Sequence, residues 1–160
     1  MSPDVIVATA RGWIGTPYRH QGAVKGVGCD CLGLVRGIWR ELYGAEPEAV
    51  PAYAADWAER AGEERLMTAA GRHFVDVPSF KESLPGDLVL FRFRPHLAAK
   101  HAGILARLPV EDGGRGRGDS WRRCWCITPG PGFELGNQRN GHRYRTAFAD
   151  AGEHGVETVE

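Results

Sequence analysis

The sequence contains no apolar run long enough to cross a membrane, and it has no excess of charge of either sign. Lys plus Arg and Asp plus Glu both number 20, a formal charge of zero that argues against a dedicated nucleic-acid binder, which would usually be basic. The opening Met1-Ser2-Pro3-Asp4 lacks a basic region followed by an apolar stretch, so it does not read as a secretory signal. The expectation is synthesis in the cytoplasm, with some other carrier if the protein works outside it. Cysteines are few: Cys29, Cys31, Cys124 and Cys126, in two C-x-C pairs. Disulfides between positions two apart are strained, and zinc knuckles use C-x-x-C spacing. Neither a disulfide framework nor a metal site is expected, and no cofactor is implied.

What remains is ordinary for a globular chain. A length of 160 residues suits one domain, and 42% apolar with 25% charged residues leaves the function open. Ser2-Pro3-Asp4 is a helix start, with Ser as cap and Pro at the first helical position. Val5, Ile6, Thr9, Trp13 and Ile14 follow at helical spacing, and Gly15-Thr16-Pro17 ends the segment. After a loop from Tyr18 to Gly28, a second helix should begin at Asp30 or Cys31. Leu34, Val35, Ile38, Trp39 and Leu42 form its apolar face, and Gly44 closes it. An Ala- and Glu-rich stretch from about Asp56 to Ala70 reads as a third, surface helix. Leu84-Pro85-Gly86-Asp87 is a turn launching a strand over Leu88–Phe93, and His101–Leu105 reads as the next strand. Helices first and strands after predict an α+β domain, N-terminal helices packed on a small antiparallel sheet. Residues 1–108 form the core of this reading. Residues 109–160 read as an atypical Gly/Arg-rich part of the same domain, expected to be poorly ordered. Pro109–Gly141 carries eight glycines and five arginines without a convincing period, and Pro109–Gly118 is expected to be mobile because Glu111–Gly118 has no large apolar side chain to offset its ordering entropy.

Cys31 stands where a helix begins, and backbone N–H groups there favour negative charge. Such a thiol has a reason to ionise near neutral pH and act as a nucleophile. Asp30 can cap the helix; Cys29 lies outside it and gains less. Among His20, His73, His96, His101, His142 and His154, His101 alone opens an apolar strand with small neighbours, Ala102 and Gly103, leaving room for a helix start to approach its ring. The plain alternative is a buried Cys31 filling the core and a structural His101.

Four segments occur in order: Gly15-Thr16-Pro17-Tyr18, Gly28-Cys29-Asp30-Cys31-Leu32-Gly33-Leu34-Val35, Leu84-Pro85-Gly86-Asp87-Leu88-Val89-Leu90-Phe91 and Lys100-His101-Ala102-Gly103-Ile104-Leu105. Together, over about Pro3–Leu108, they resemble the NlpC-type family of papain-like cell-wall cysteine peptidases. The closer likeness is to the branch found in phage tails and gene transfer agents. The resemblance implies a hydrolase cutting peptidoglycan stem peptides near D-glutamate and diaminopimelate. Cys31 would be its nucleophile and His101 its base, with Tyr18 and the Cys31 N–H stabilising the oxyanion and Asp30 binding the substrate amine. Tyr18 could instead be a packed loop aromatic, and Asp30 simply a cap. Leu32 stands where cellular members have Ser, so that hydroxyl contact is lost. The implied partners are the peptidoglycan peptide and phage-tail-like particle proteins. Such a protein would be particle-associated and act in the periplasm or cell wall of a target cell.

The resemblance also calls for a third polar residue, commonly His, on the strand after that of His101. No apolar run ending in His-Ala follows Leu108, and His142 is only a weak candidate. A shifted reading frame in the gene is one explanation. An encoding of Cys124–Gly130 as TGC TGG TGT ATC ACC CCG GGG reads Leu-Val-Tyr-His-Pro-Gly once its first two bases are dropped. Two other functions stay open: an inactive tail component with the same fold, and an amidase or acyltransferase using the same Cys–His chemistry.

Overall fold

A computed structural model describes residues 1–56, 62–78, 82–92 and 96–107, together with the backbone of three further strands. The element order is α1 (Pro3–Arg11), β1 (Ala23–Val24), β2 (Gly28–Cys29), α2 (Cys31–Tyr43), α3 (Arg65–His73), β3 (Phe74–Asp76), β4 (Leu88–Phe91), β5 (His101–Arg107), β6 (Cys124–Ile127), β7 (Glu134–Leu135) and β8 (Gly141–Thr146). This is an α+β arrangement, as the order of patterns predicts. β1 and β2 form a hairpin, and the other six strands make one antiparallel sheet in the order β3-β8-β4-β5-β6-β7.

The centre of the sheet follows from simple alternation. Leu88 pairs with Ile104 and Leu90 with Ala102, so these four share a face. They join Ile6, Ala10, Trp13, Leu34, Ile38 and Leu66 in the core. β4 starts from the expected turn: Gly86 has φ 94°, open to glycine at little cost, and the Asp87 carboxylate accepts from the Leu84 N–H at 2.8 Å.

The helices depart from their sequence readings in two places. In α1, Val5 and Ile14 are exposed, while Ile6, Val7, Ala10 and Trp13 are buried. The helix ends at Arg11, and the following turn swings Trp13 inward. Its indole donates to Glu41 at 2.8 Å and lies where a side chain at Gly37 would clash. Of the expected third helix, the stretch Arg65–His73 is helical, and residues 57–61 lie outside the described set. It is not a surface helix: Leu66 and Ala70 are buried in the core.

The predicted loop from Tyr18 to Gly28 contains the β1–β2 hairpin. Beyond Leu108, where the sequence shows no period, three strands complete the sheet. The expected mobility of Pro109–Gly118 falls outside the described residues.

Candidate active site at the start of helix 2

Helix α2 begins at Cys31 for local reasons. Asp30 is its N-cap in extended conformation, and Oδ1 accepts from the Gly33 N–H at 2.8 Å. The hairpin fixes where this start points. The Asp30 N–H donates to the Gly22 carbonyl at 3.2 Å. A side chain at Gly33 would meet that carbonyl oxygen at 1.7 Å, so glycine is required for the hairpin to lie against the first turn.

The first turn of α2 abuts the beginning of β5. The Cys31 thiol donates to the Lys100 carbonyl, with an S···O distance of 3.8 Å, and the Ala102 N–H donates to the same sulfur. The main chain on both sides of His101 therefore meets the thiol. The imidazole itself lies against Phe91, its register partner, with ring centroids 5.9 Å apart.

Burial favours the neutral form of both groups. Burial pushes the Cys31 thiol up to about 11. The nearby Asp30 charge adds to the rise, and the N–H groups of Ala102, Leu32 and Cys31 oppose it. The helix start acts in the expected direction, but desolvation outweighs it, so the anticipated thiolate near neutral pH is not the resting state. Burial also lowers the His101 pKa, against a smaller raising effect of Asp30.

Asp30 is 3% exposed and has its oxygens engaged. Besides capping Gly33, it accepts from the Gln21 N–H at 2.7 Å and from the Tyr53 hydroxyl, with His20 Nδ1 at 3.7 Å. This is the capping alternative extended into a buried network. Tyr53, which sequence reading did not single out, lies 23 residues from Asp30 in an irregular segment, and no periodic signal marks it. Its hydroxyl pKa is raised, first by burial and then by its bond to Asp30.

Tyr18 is 61% exposed and is not the packed loop aromatic. A parallel bridge to Cys29 places it beside the site. Its pKa is raised by burial first, then by Asp30 and Cys31. Cys29 is completely buried in β2. His142 lies on β8 opposite Leu90, so β4 separates its strand from β5. The strand that does follow β5 is β6, with Ile127 opposite Ile104. The His of the shifted-frame reading would replace Ile127.

Cys31 also lines a cavity of about 700 Å³ between α2, α3, the segment 46–53 and the sheet. Among the described residues, no group of three or more His, Cys, Asp or Glu could hold a metal ion, and no helix is long and apolar enough to cross a membrane.

These features define an α+β domain carrying a partly buried cysteine at a helix start, seated against the strand of a histidine. Among solved structures, the NlpC/p60 domain of the peptidoglycan hydrolase SagA is similar, at 24% identity and a TM-score of 0.44, over 66% of this chain and 74% of that one. No family profile matches the chain, and no curated protein does.

Proposed function

We propose that this protein is a cysteine peptidase of the NlpC type that hydrolyses peptide bonds in peptidoglycan stem peptides. The observation that carries the reading is the thiol at the N-terminus of α2, held by the main chain on either side of His101. The resting pair is a neutral thiol and a neutral imidazole. As Cys31 Sγ attacks the carbonyl, His101 takes its proton, then passes it to the leaving amine. The carbonyl oxygen takes up charge near the Cys31 N–H and the exposed Tyr18 hydroxyl, which stabilise it. Water then splits the thioester and restores the thiol. Asp30 acts through position: it caps the helix and ties segment 46–53 to the nucleophile's turn.

The motif order further suggests a phage-tail-like particle as carrier, with action in the periplasm or wall of a target cell. Purified peptidoglycan digested with wild type and with Cys31→Ala, followed by mass analysis of the muropeptides, tests the activity. New stem-peptide ends with wild type alone are expected; identical products from both would remove the reading.

A further inference from the structure

The cavity beside Cys31 differs in character from a stem peptide. Cys31, Val35 and Trp39 form one stripe along α2, with Leu32 beside it, and all line the cavity. Leu66, Ala69 and Phe74 face them from α3 and β3, and Leu88, Leu90 and Ala102 of the packed core lie behind. The small Ala69 and Ala70 leave the space open. Charged residues line it as well: Arg36 pairs with Glu46 at 2.7 Å, Arg72 with Glu48 at 2.6 Å and Arg65 with Glu63 at 2.8 Å, and Lys100 lies at the Cys31 end. The fourth wall, segment 46–53, is tied down by Glu46, Glu48 and the Tyr53–Asp30 bond, so the cavity is pre-formed. Along the Val35–Trp39 stripe itself a carboxylate would be buried against apolar surface, at considerable cost. An uncharged hydrocarbon chain meets no such cost.

We infer that this cavity binds a straight hydrocarbon chain, and that Cys31 at its end also accepts esters of such acyl groups. The length agrees. From Cys31 to Trp39 the helix rises about 12 Å. That matches an extended chain of roughly ten carbons at about 1.2 Å per bond. The volume of about 700 Å³ suits a ligand of that size. The chain would lie along the α2 stripe with its carbonyl at the thiol. Sγ attacks the carbonyl carbon to form a thioester, and the departing alcohol leaves with the thiol proton through His101. Water then releases the fatty acid and returns the proton to sulfur.

The covalent step rests on Cys31 as nucleophile; the binding does not, so the two are tested apart. Titration of the Cys31→Ala protein with the neutral probe N-phenyl-1-naphthylamine should give saturable fluorescence at one probe per chain, displaced by decanoic acid. Ala69→Phe, introduced into the same background, should abolish it while the far-ultraviolet helix signal is kept. Absence of saturable binding to Cys31→Ala overturns the inference, whatever the peptidase assay gives. In wild type, kcat/KM for p-nitrophenyl esters should rise from acetate to decanoate by on the order of a hundredfold or more as methylenes are buried. Ala69→Phe should lower the decanoate-to-acetate ratio. Hydrolysis that does not grow with chain length overturns the acyl specificity. Probe binding with no ester hydrolysis at any length would leave the chain site standing and remove Cys31 as nucleophile instead.

Discussion

The strand that ends at Cys29 and the helix that begins at Cys31 put two thiols two residues apart into opposite situations. Cys29 lies in β2, fully buried, with its N–H bonded to the Pro17 carbonyl and its carbonyl to the Arg19 N–H. Its side chain fills space. Cys31 is one step past the cap, where the chain turns into a helix and the N–H groups of Cys31 and Leu32 face its sulfur. Its sulfur meets main chain from β5 and opens on a cavity. The same atom type is a packing element in one place and a candidate nucleophile in the other, and only the change of backbone between them makes the difference.

The sharpest way to break this contrast is to remove each thiol in turn. Cys31→Ala should reduce peptidoglycan hydrolysis to background. Cys29→Ala should retain most of the turnover and lose about 1–2 kcal/mol of stability to the small cavity left behind. Dye release from labelled peptidoglycan and thermal melts measure both. Equal loss of activity in two folded variants would erase the distinction.

Next in size is the geometry of the helix start. Gly33→Ala puts a methyl group into the Gly22 carbonyl and must displace the hairpin or the first turn. A shift of about 1 Å at the nucleophile costs on the order of a hundredfold in rate. Gly71→Ala, in α3 with nothing within 4 Å of the added atom, should instead be neutral or stabilise by up to about 1 kcal/mol. A fully active Gly33→Ala protein would show that the hairpin does not place the thiol.

A comparable gain is expected from the strand beside β5. Replacing residues 124–129 by Leu-Val-Tyr-His-Pro-Gly puts a His at position 127, in the strand paired with that of His101. An oriented imidazole should raise kcat by on the order of a hundredfold, more than it changes KM. Unchanged steady-state constants would show that the ring needs no such help. His142→Ala should alter kcat less than about twofold, since β4 lies between its strand and that of His101; a large loss would make His142 the orienting residue.

The smallest effect is on pH dependence. Alkylation of Cys31 by iodoacetamide should climb toward about pH 11, and Asp30→Asn should move the midpoint down by removing a like charge. A midpoint below pH 8 in wild type would mean a thiolate at rest. Stability carries the same sign. The folded thiol keeps a proton that the unfolded chain gives up from about pH 9, so this contribution is whole below pH 9 and disappears on the way to 11. The lowered His101 works the other way: its contribution is present above 6.5 and is lost as pH falls below that value. The melting temperature of wild type should therefore decline more steeply than that of Cys31→Ala between pH 9 and 11.

The legible parts of this molecule are those governed by neighbours in sequence. The Asp30 cap, the α2 stripe and the Pro85-Gly86 turn each depend on a few adjacent residues, and the structure has all three. The α1 face departs from its helical period because Trp13 is buried from a turn outside the helix, where a 3.6-residue repeat no longer applies. β6 was missed because Cys-Trp-Cys-Ile does not alternate apolar with polar, and a strand paired on both sides need not. The Tyr53–Asp30 bond spans 23 residues and leaves no local trace. The helix start argues for a low thiol pKa, but the opposing desolvation comes from burial in the folded chain, which no local pattern shows.

The seat of the sulfur has one further consequence. It is made of peptide groups, Lys100 C=O and Ala102 N–H, which any residues supply at those positions so long as 102 is not proline. Side chains around it can change without unseating the thiol. A lineage could exchange the base, the aromatic at position 18 or the strand beyond, and still inherit a cysteine held at the same point. Chemistry on this scaffold is therefore free to lapse and return while the architecture that presents it persists.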